Sequence, residues 1–466
     1  MRFSILSFIA ALFVIAGTAS VSKAGFVYSV VDAVEGNQIY GFSANETTGE
    51  LTLLAGFPVA TGFIGGGNTN LEHIVYDPVN KFLFVANRGS SNISVYSVNT
   101  MTGAIAPASF SPIASVANQR TLKVHPSGSP LIVGADNFAS FVITATSATP
   151  APGSPYTMPT GVSPAASAMS PDGSYYYAGG NTGNFFAGMS VNSSTGELTP
   201  ITGSPFDSTA SNPVPVDVDS TGRLFVYGSR QAAMRIYTLA SGVPTAVAGT
   251  PFTAGEVGFA SVAKLHPNGN FLMLPNRTRA HVYSYAVGGS GAATTFSVVA
   301  GSPFGTGGTT SLAGVYNPAG TFFYVANAGS RNLTRFAVNP STGVLSGQVV
   351  QAANTLGSVG SLSGIAYVPE GPMSGPVTIS GRIMRANGTG VSGARVNISG
   401  PNGFSANALT GSFGYFTFNG ILSDRQYTIT IVSKLATFGP TLITPSGDVT
   451  GLEIFEVPTF SPRLSR

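Results

Sequence analysis

The chain has 466 residues with no cysteine and no tryptophan, and only 8% of its residues are charged, against about 25% in a typical soluble domain. The missing cysteines exclude disulfides, thiolate metal sites and cysteine nucleophiles, and a net charge of +3 gives no support for a nucleic-acid binder. Hydrophobic residues make up 43% of the chain, enough for large cores, so the composition favours two or three folded domains over disorder.

The first residues predict a secretory signal peptide, residues 1–24. A basic residue at position 2 precedes an apolar run from Phe3 to Ile15, and small residues follow it up to a cleavage site after Ala24. The run is too short to span a membrane, and a buried N-terminal strand is the alternative interpretation. We therefore expect a mature chain without a transmembrane span, located outside the cytoplasm as a secreted, periplasmic or cell-surface protein.

A repeat of about fifty residues dominates the next part of the chain. Segments 77–87 and 317–327 are near copies, each opening with a Pro-containing turn and continuing into an apolar run that ends in Val-Ala-Asn. The same turn recurs at intervals of 45 to 51 residues. The second residues of these turns, including a degenerate seventh, are Pro78, Pro126, Pro171, Ser220, Pro267, Pro318 and Pro369.

Each repeat predicts four short strands. In the first copy, His73–Tyr76 leads into the turn, Phe82–Ala86 is apolar on both faces, and 93–98 alternates. A fourth strand follows a Thr-Gly or Ser-Gly hairpin. Four antiparallel strands at this period are typical of a β-propeller blade.

The two ends of the repeat region predict how the ring closes. Before the first turn, Phe26–Val31, Gln38–Ser43 and Glu50–Leu54 supply strands two to four of a blade, and 364–368 supplies the missing first strand. Both ends together would build a seventh blade, which removes free sheet edges. An open β-solenoid, which needs no such complementary fragments, is the alternative.

Composition changes at a Pro/Gly-rich linker, residues 370–376. We therefore predict an all-β protein with a seven-bladed propeller over 25–369, a small antiparallel β-sandwich over 377–458 and a tail over 459–466. The predicted strands of the sandwich are Val377–Met384, Ala394–Ile398, Phe413–Phe418, Tyr427–Val432 and Leu452–Val457.

Charged residues collect where the propeller should open. Loops from the fourth to the next first strand, and from the second to the third, meet on one face around the central channel, where ligands usually bind. Arginine suits anions there because it binds carboxylate and phosphate groups bidentately. The predicted rim consists of Glu72, His73, Arg88, Arg120, Arg230, Glu256, Arg277, Arg279 and Arg331. Exposed loops that merely carry the few charges of the chain are the alternative.

The propeller histidines fall into two classes. His125 and His266 occupy the turn position of Asp77 and are expected to form turns. His73 beside Glu72 is the minimum for acid–base catalysis, although adjacent residues on a strand face opposite ways. Hydrolase elbows, zinc-protease motifs, phosphate loops and calcium loops are all absent from the sequence, so we expect no cofactor and no metal.

The repeats resemble a known superfamily. The Pro-x-Gly turns, 84–87, 324–327 and the segment Asn192–Leu198 resemble the seven-bladed lactonase and cycloisomerase superfamily, with its 6-phosphogluconolactonase-like members, and the surface-layer propellers built on YVTN-type repeats. The resemblance implies the propeller fold. The enzymes have an Asp-Leu-Gly motif after the second strand where this chain has Asn-Arg-Gly at 87–89. His73, Arg120, Glu256 and Arg277 are of the residue types that the cyclising relatives use.

The C-terminal segment resembles a second family. Gly390–Val396 and Thr410–Phe418 follow the order of motifs in the carboxypeptidase-regulatory-like, transthyretin-like domain. That resemblance implies a non-catalytic folding or surface-attachment unit.

Two functions remain. The favoured one is a monomeric, non-enzymatic propeller that binds a protein or a glycan at its rim. The alternative is an exported lactone hydrolase, in which rim arginines hold an anionic sugar or organic-acid lactone while His73 or Glu256 activates water. The second hypothesis predicts that those side chains converge in one channel mouth.

Overall fold

The computed structural model describes residues 24–67, 72–180, 182–256, 262–351, 360–370, 376–400, 404–422, 427–443, 445 and 448–457. The predicted signal peptide up to residue 23, residues 371–375 of the linker and the tail from residue 458 lie outside the described residues. The chain divides into two compact units, Met1–Glu370 and Gly371–Arg466. In the described ranges, no helix has the length and apolar character needed to cross a membrane.

The first unit consists of seven antiparallel sheets, numbered here as blades 1 to 7 in the order of their first strands. The strands of blade 1 are Ile74–Asp77, Phe82–Asn87, Asn92–Val98 and Ile105–Pro107. Those of blade 2 are Thr121–Val124, Leu131–Gly134, Phe138–Ile143 and Ala148–Pro150. Those of blade 3 are Pro164–Met169, Tyr175–Gly180, Phe185–Val191 and Leu198–Pro200. The strands of blade 4 are Pro213–Val218, Arg223–Gly228, Ala233–Ala240 and Val243–Ala246. Those of blade 5 are Lys264–Leu265, Phe271–Asn276, His281–Gly288 and Thr295–Val298. Those of blade 6 are Ser311–Tyr316, Phe322–Asn327, Asn332–Val338 and Leu345–Gln351. The all-β propeller prediction is therefore confirmed.

Blade 7 joins the two ends of the propeller region. Its first strand, Ser361–Val368, pairs antiparallel with its second, Ala24–Asp32, so that Phe26 lies opposite Val368. The third and fourth strands are Gln38–Asn45 and Leu51–Leu53. Pairing between distant parts of the chain closes the ring as predicted and leaves no open edge between blades 6 and 1.

The chain also repeats a Gly-(Ser/Thr)-Pro-(Phe/Tyr) segment, at Gly153–Tyr156, Gly203–Phe206, Gly249–Phe252 and Gly301–Phe304, and the hydroxyl side chain of this marker has a structural role. Ser204 Oγ accepts a hydrogen bond from the backbone N–H of Gly188 at 3.0 Å, and Ser302 Oγ accepts one from Ser284 at 3.0 Å. Each donor lies on the third strand of its blade, where the ladder is interrupted. Short strands that begin at the last residue of the marker pair with the same third strand: Phe206–Asp207, Phe252–Thr253 and Phe304–Gly305. In blades 1 and 7, Ile113–Ala114 and Val59–Ala60 occupy the same place after other Pro-containing segments.

The turns after the first strands are held by the side chain that precedes the proline. Asp77 Oδ1 accepts the backbone N–H of Val79 at 2.9 Å, and His125 Nδ1 accepts that of Ser127 at 3.1 Å. In the equivalent turn of blade 5, His266 Nδ1 accepts the backbone N–H of Asn268 at 3.1 Å. The prediction that His125 and His266 form turns is confirmed, because their rings replace the carboxylate of Asp77.

The propeller cores lie between neighbouring blades. Tyr28 and Val30 of blade 7 pack with Leu83 and Val85 of blade 1 in one buried cluster, and similar clusters fill the other interfaces. Apolar second strands suit this position because each faces a neighbouring blade on both sides. The packing leaves the inner ends of the first strands free to line the channel.

The second unit contains two sheets around one core, to which both sheets contribute: Ile379 and Phe418 from one, Val396 and Ile429 from the other. The three-stranded sheet has the order Tyr415–Leu422, Pro376–Met384, Val449–Phe455, and the four-stranded sheet the order Ser405–Leu409, Arg395–Ser399, Tyr427–Val432, Thr441–Ile443. The expectation of purely antiparallel pairing was wrong at one place. The first and last strands pair in parallel, because the chain passes through the other sheet before it returns to this edge.

Candidate functional site

One group of polar side chains gathers where blades 7, 1 and 2 begin, and we call it the mouth cluster. Its members are Asp32, His73, Arg88, Asn118, Gln119, Arg120, Asp136 and Ser363. The backbone places them by simple means: His73 and Arg120 each stand directly before a first strand, and Arg88 opens a 3-10 turn after a second strand.

His73 lies at the centre of the cluster and is fully buried. Its Nε2 lies 3.0 Å from the backbone oxygen of Gln119, and its Nδ1 lies 3.1 Å from Ser363 Oγ. A carbonyl oxygen can only accept, so Nε2 carries the proton, and Nδ1 accepts the hydroxyl proton of Ser363. Burial lowers the pKa of His73 and the nearby Arg88 lowers it further, whereas Asp32 opposes them. The ring is therefore neutral at pH 7.

Asp32 was missed by the sequence analysis. It ends the second strand of blade 7 and is fully buried, and its Oδ1 accepts the backbone N–H of Gly66 at 2.9 Å. Only its place at the end of a second strand, level with Arg88 in the next blade, could have indicated it. Its contribution to the cluster is a negative charge close enough to His73 to act on its pKa.

Asp136 lies at the surface of the cluster, where Arg120 contacts it directly and Arg88 is linked to it through Asn118. Arg120 Nη2 lies 3.5 Å from Asp136 Oδ1, and Arg120 Nη1 donates to Ser163 Oγ at 2.6 Å. Arg88 Nη2 donates to Asn118 Oδ1 at 3.4 Å, and Asn118 Nδ2 donates to the same aspartate at 2.5 Å. The side chain of Asp136 is 56% exposed and that of Arg120 16%. Burial lowers the pKa of Arg120, the charge of Asp136 opposes this effect, and the neighbouring Arg88 adds to it.

Gln119 carries the clearest unsatisfied groups of the cluster. The residue is fully buried, yet neither Nε2 nor Oε1 has a hydrogen-bond partner. Leaving a buried polar group unpaired costs about 1–3 kcal/mol. Such groups are rare in natural proteins, and a catalytic role is one of the reasons for which they are retained. The sequence gives no signal for Gln119, because an uncharged residue beside Arg120 belongs to no motif and its burial is seen only in the structure.

Glu72 does not lie on the exposed rim. Its carboxylate is buried in the channel, where it forms an ion pair with Lys123 and accepts the N–H and O–H of Ser167 at 3.0 and 2.9 Å. It thereby links the first strands of blades 1, 2 and 3. Glu72 and His73 have different partners, as expected of adjacent residues on a strand.

The other predicted rim residues belong to blades 4 to 6. Arg279 Nε lies 2.8 Å from Glu256 Oε2, and these side chains are 61% and 52% exposed, so their ion pair contributes little stability. Arg230, Arg277 and Arg331 follow the second strands of these blades, and burial lowers the pKa of Arg277. Among the described residues, no hydrogen bond or ion pair joins His73 to Glu256.

The described parts of the chain contain no group of three or more His, Asp or Glu side chains arranged to hold a metal ion. The mouth cluster offers guanidinium and amide donors and one exposed carboxylate. These groups can bind an anionic or carbonyl-containing molecule.

Comparisons with known proteins agree with the propeller architecture. The family model described as Lactonase, 7-bladed beta-propeller matches residues 25–149, the segment that holds most of the mouth cluster. The chain has a lactonase-like propeller. A search of the curated proteins finds no match.

Solved structures extend this likeness to the whole propeller. A 6-phosphogluconolactonase-like protein from Bacteroides fragilis is 17% identical, with a TM-score of 0.58 and coverage of 75% of this chain and 99% of its own. The periplasmic gluconolactonase PpgL of Pseudomonas aeruginosa is 18% identical, with a TM-score of 0.54 and coverage of 74% and 100%. A Lactobacillus plantarum protein is 14% identical, with a TM-score of 0.56 and coverage of 74% and 99%. At these identities the likeness is one of fold.

Proposed function

We propose that the protein is a lactonase-like hydrolase whose mouth cluster binds a lactone carrying a carboxylate or phosphate group. The unpaired amide of buried Gln119, directly beside Arg120, carries the proposal. A lactone carbonyl oxygen that reached this amide would accept a hydrogen bond from Nε2, and Arg88 and Arg120 are the guanidinium groups of the same cluster. The lactonase-like fold favours this function over the non-enzymatic binding module.

Each side chain has a role suited to its surroundings. Arg88 and Arg120 bind the anionic substituent, and the Gln119 Nε2 group donates to the lactone carbonyl oxygen as negative charge develops there. Asp136 is the accessible carboxylate of the cluster, so we assign it as the general base. His73 positions Gln119 through the hydrogen bond to its carbonyl oxygen.

The reaction then follows ordinary ester chemistry. Asp136 takes a proton from water as the water oxygen bonds to the lactone carbonyl carbon. The tetrahedral intermediate collapses, the bond from that carbon to the ring oxygen breaks, and the ring oxygen takes the proton from Asp136. The product is the open-chain hydroxy acid. His73 suits the base less well because both of its ring nitrogens already have hydrogen-bond partners. Glu256 pairs with Arg279 of blade 5, outside the mouth cluster.

The test is hydrolysis of a panel of sugar and aliphatic lactones, with and without an anionic substituent, by the purified protein. Asp136→Asn should lower kcat about 100-fold or more, the effect expected for a catalytic base. Arg120→Gln should raise KM for anionic lactones and leave neutral ones unchanged. Glu256→Gln is the matched control and should keep full activity. Absence of turnover on every lactone would overturn the proposal and restore the binding module.

We also propose export of the protein, as the apolar run from Phe3 to Ile15 suggests. N-terminal sequencing of protein recovered outside the cytoplasm should begin at Gly25. Recovery of full-length chain from the cytoplasm would contradict this proposal.

A further inference from the structure

The two sheets of the second unit have four outer edges, and three of these edges carry features that hinder pairing with a further strand. Thr441–Ile443 is only three residues long and has a proline within two residues of each end. Tyr415–Leu422 and Val449–Phe455 each contain one extra residue at a β-bulge. The bulges lie at Gly420 and Gly451, whose φ angles are +75° and +78°. Short strands, prolines and bulges are the means by which natural sheets avoid edge-to-edge association.

The fourth edge strand, Ser405–Leu409, has none of these features. Its five residues pair with Arg395–Ser399 in one unbroken register, and it contains no proline and no charged residue. Ser405, Asn407 and Leu409 are exposed, and the exposed fraction of Leu409 is 66%. No strand in the described part of the chain pairs with the other side of this edge. A regular, uncharged edge of this kind is a template for another strand.

The backbone groups on the free side of this edge follow from the hydrogen bonds at its two ends. The N–H of Gly400 donates to the carbonyl oxygen of Phe404 at 2.9 Å. The N–H of Thr410 donates to the carbonyl oxygen of Ala394, also at 2.9 Å. Backbone groups of successive strand residues point to opposite sides, so the even-numbered residues face the neighbouring strand. The odd-numbered residues, with Asn407 in the middle, therefore direct their N–H and C=O groups outwards.

We propose that the protein forms a dimer by antiparallel pairing of two copies of Ser405–Leu409 about a two-fold axis at Asn407. Asn407 would lie opposite Asn407 of the second copy, and Ser405 would lie opposite Leu409. Each of these opposed pairs would exchange two backbone hydrogen bonds. The two four-stranded sheets would then become one continuous sheet.

Two properties of the edge favour a second copy over a different protein. Strand addition is selective when pockets beside the edge receive alternate side chains of the partner. Ser405, Ala406 and Ala408 are too short to form the walls of such pockets. Two copies also meet without repulsion, because the edge carries no charge that would face its like. The pairing is isologous, so it closes at two chains and leaves neither copy of this edge open.

The dimer differs from the monomer expected from the sequence. It is independent of lactone hydrolysis, because no residue of the mouth cluster takes part. Pairing over five residues buries less than the about 1,200 Å² of a standard interface, so the association should be weak and reversible.

Sedimentation velocity of the full chain over a range of micromolar concentrations tests the proposal. The mean mass should rise from one chain towards two as the concentration increases. Asn407→Lys should raise the dissociation constant about tenfold or more, because it places like charges opposite each other at the two-fold axis. Thr430→Lys is the matched control, since Thr430 is exposed and lies opposite Asn397 on the side away from the edge. This control should dimerise as the unaltered protein does.

A mixture of two variants tests the register. Asn407→Asp alone should lose the dimer as Asn407→Lys does, whereas an equimolar mixture of the two should recover it, because opposite charges then face each other. Both substitutions change an exposed side chain, so circular dichroism should show an unaltered fold. A monomer at every concentration, unchanged dimerisation of Asn407→Lys, equal loss in Thr430→Lys, or a mixture that stays monomeric would overturn the proposal.

Discussion

Blades 1 and 6 are the most similar repeats, and the place where they differ is instructive. Both end the second strand with a buried asparagine, Asn87 or Asn327. Asn87 Nδ2 donates to Asn92 Oδ1 and to Ser94 Oγ, both at 2.8 Å. Asn327 Nδ2 donates to Asn332 Oδ1 and to Thr334 Oγ1 at the same distance. The next residue differs: blade 1 has Arg88, which joins the mouth cluster, and blade 6 has buried Ala328. Repeated residues build the scaffold, and departures from the repeat supply the chemistry.

The largest expected change in the free energy of unfolding comes from removing the asparagine network that blades 1 and 6 have in common. Asn327→Ala removes an acceptor for Ser311 and a donor to Asn332 and Thr334, all buried. Leaving these groups unpaired should lower the free energy of unfolding by about 2–4 kcal/mol. Urea denaturation measures the change.

Asn87→Ala is the matched variant. Asn87 makes the equivalent bonds and accepts from Asn37 at 3.0 Å, so its loss should cost the same within about 0.5 kcal/mol, the usual error of such comparisons. A cost below 1 kcal/mol for either variant would show that these networks are not the common scaffold.

The turn end of the blades provides the next test. Gly173 and Gly222 occupy the same turn position with φ of +77° and +79°. A methyl group at Gly173 would overlap the ring of His125 in the preceding blade, whereas one at Gly222 would meet nothing within 4 Å. Gly222→Ala should therefore cost only the backbone strain, about 1 kcal/mol, and Gly173→Ala about 2–3 kcal/mol.

Urea denaturation of both variants gives the difference directly. Equal costs would mean that His125 moves aside freely, and that blade-to-blade contact at the turns adds no stability. Gly320, which packs against His266 in the same way, should behave like Gly173.

The comparison of blades also explains what the sequence could and could not predict. The seven blades and the closing strands could be predicted because the residues that define a blade recur, such as Pro78 and Pro318. Each copy of the pattern therefore strengthens the prediction made from the others. Arg88 and Arg120 were found because charge is rare in this chain. Asp32 and Gln119 were missed because their importance depends on neighbours from other blades, which no local pattern shows. Glu72 was placed on the rim because the channel partners Lys123 and Ser167 lie 51 and 95 residues away.

The burial of His73 should make stability depend on pH more strongly than the burial of a turn histidine such as His125 does. Burial lowers the pKa of His73 in the folded state, so the unfolded chain binds a proton more readily below its ordinary pKa of about 6.5. Stability is then fully present above pH 6.5 and is lost as pH falls towards the folded-state pKa. The slope for one such group is at most about 1.4 kcal/mol per pH unit.

Urea midpoints measured from pH 8 to pH 5 test this expectation. His73→Gln should flatten the dependence. His125, whose pKa burial also lowers but which is less enclosed, contributes less, so His125→Gln should flatten it less. An unchanged slope in His73→Gln would mean that folding does not lower the pKa of His73.

The smallest expected effect is an increase in the free energy of unfolding, and it distinguishes a residue of the mouth cluster from one of the scaffold. Gln119→Leu replaces two unpaired buried polar atoms by methyl groups of similar volume. Because it removes a desolvation cost and leaves no partner unsatisfied, it should raise the free energy of unfolding by about 1 kcal/mol. Gln348→Leu changes an exposed glutamine and should remain within about 0.5 kcal/mol of the unaltered protein.

The same variant should lose lactone hydrolysis while it gains stability, since the unpaired amide is the group proposed to meet the carbonyl oxygen. Such opposite changes are characteristic of binding and catalytic residues, whereas Asn327→Ala should lose stability first and activity only as a consequence. A loss of stability in Gln119→Leu would place Gln119 in the scaffold and remove the observation on which the proposed function rests.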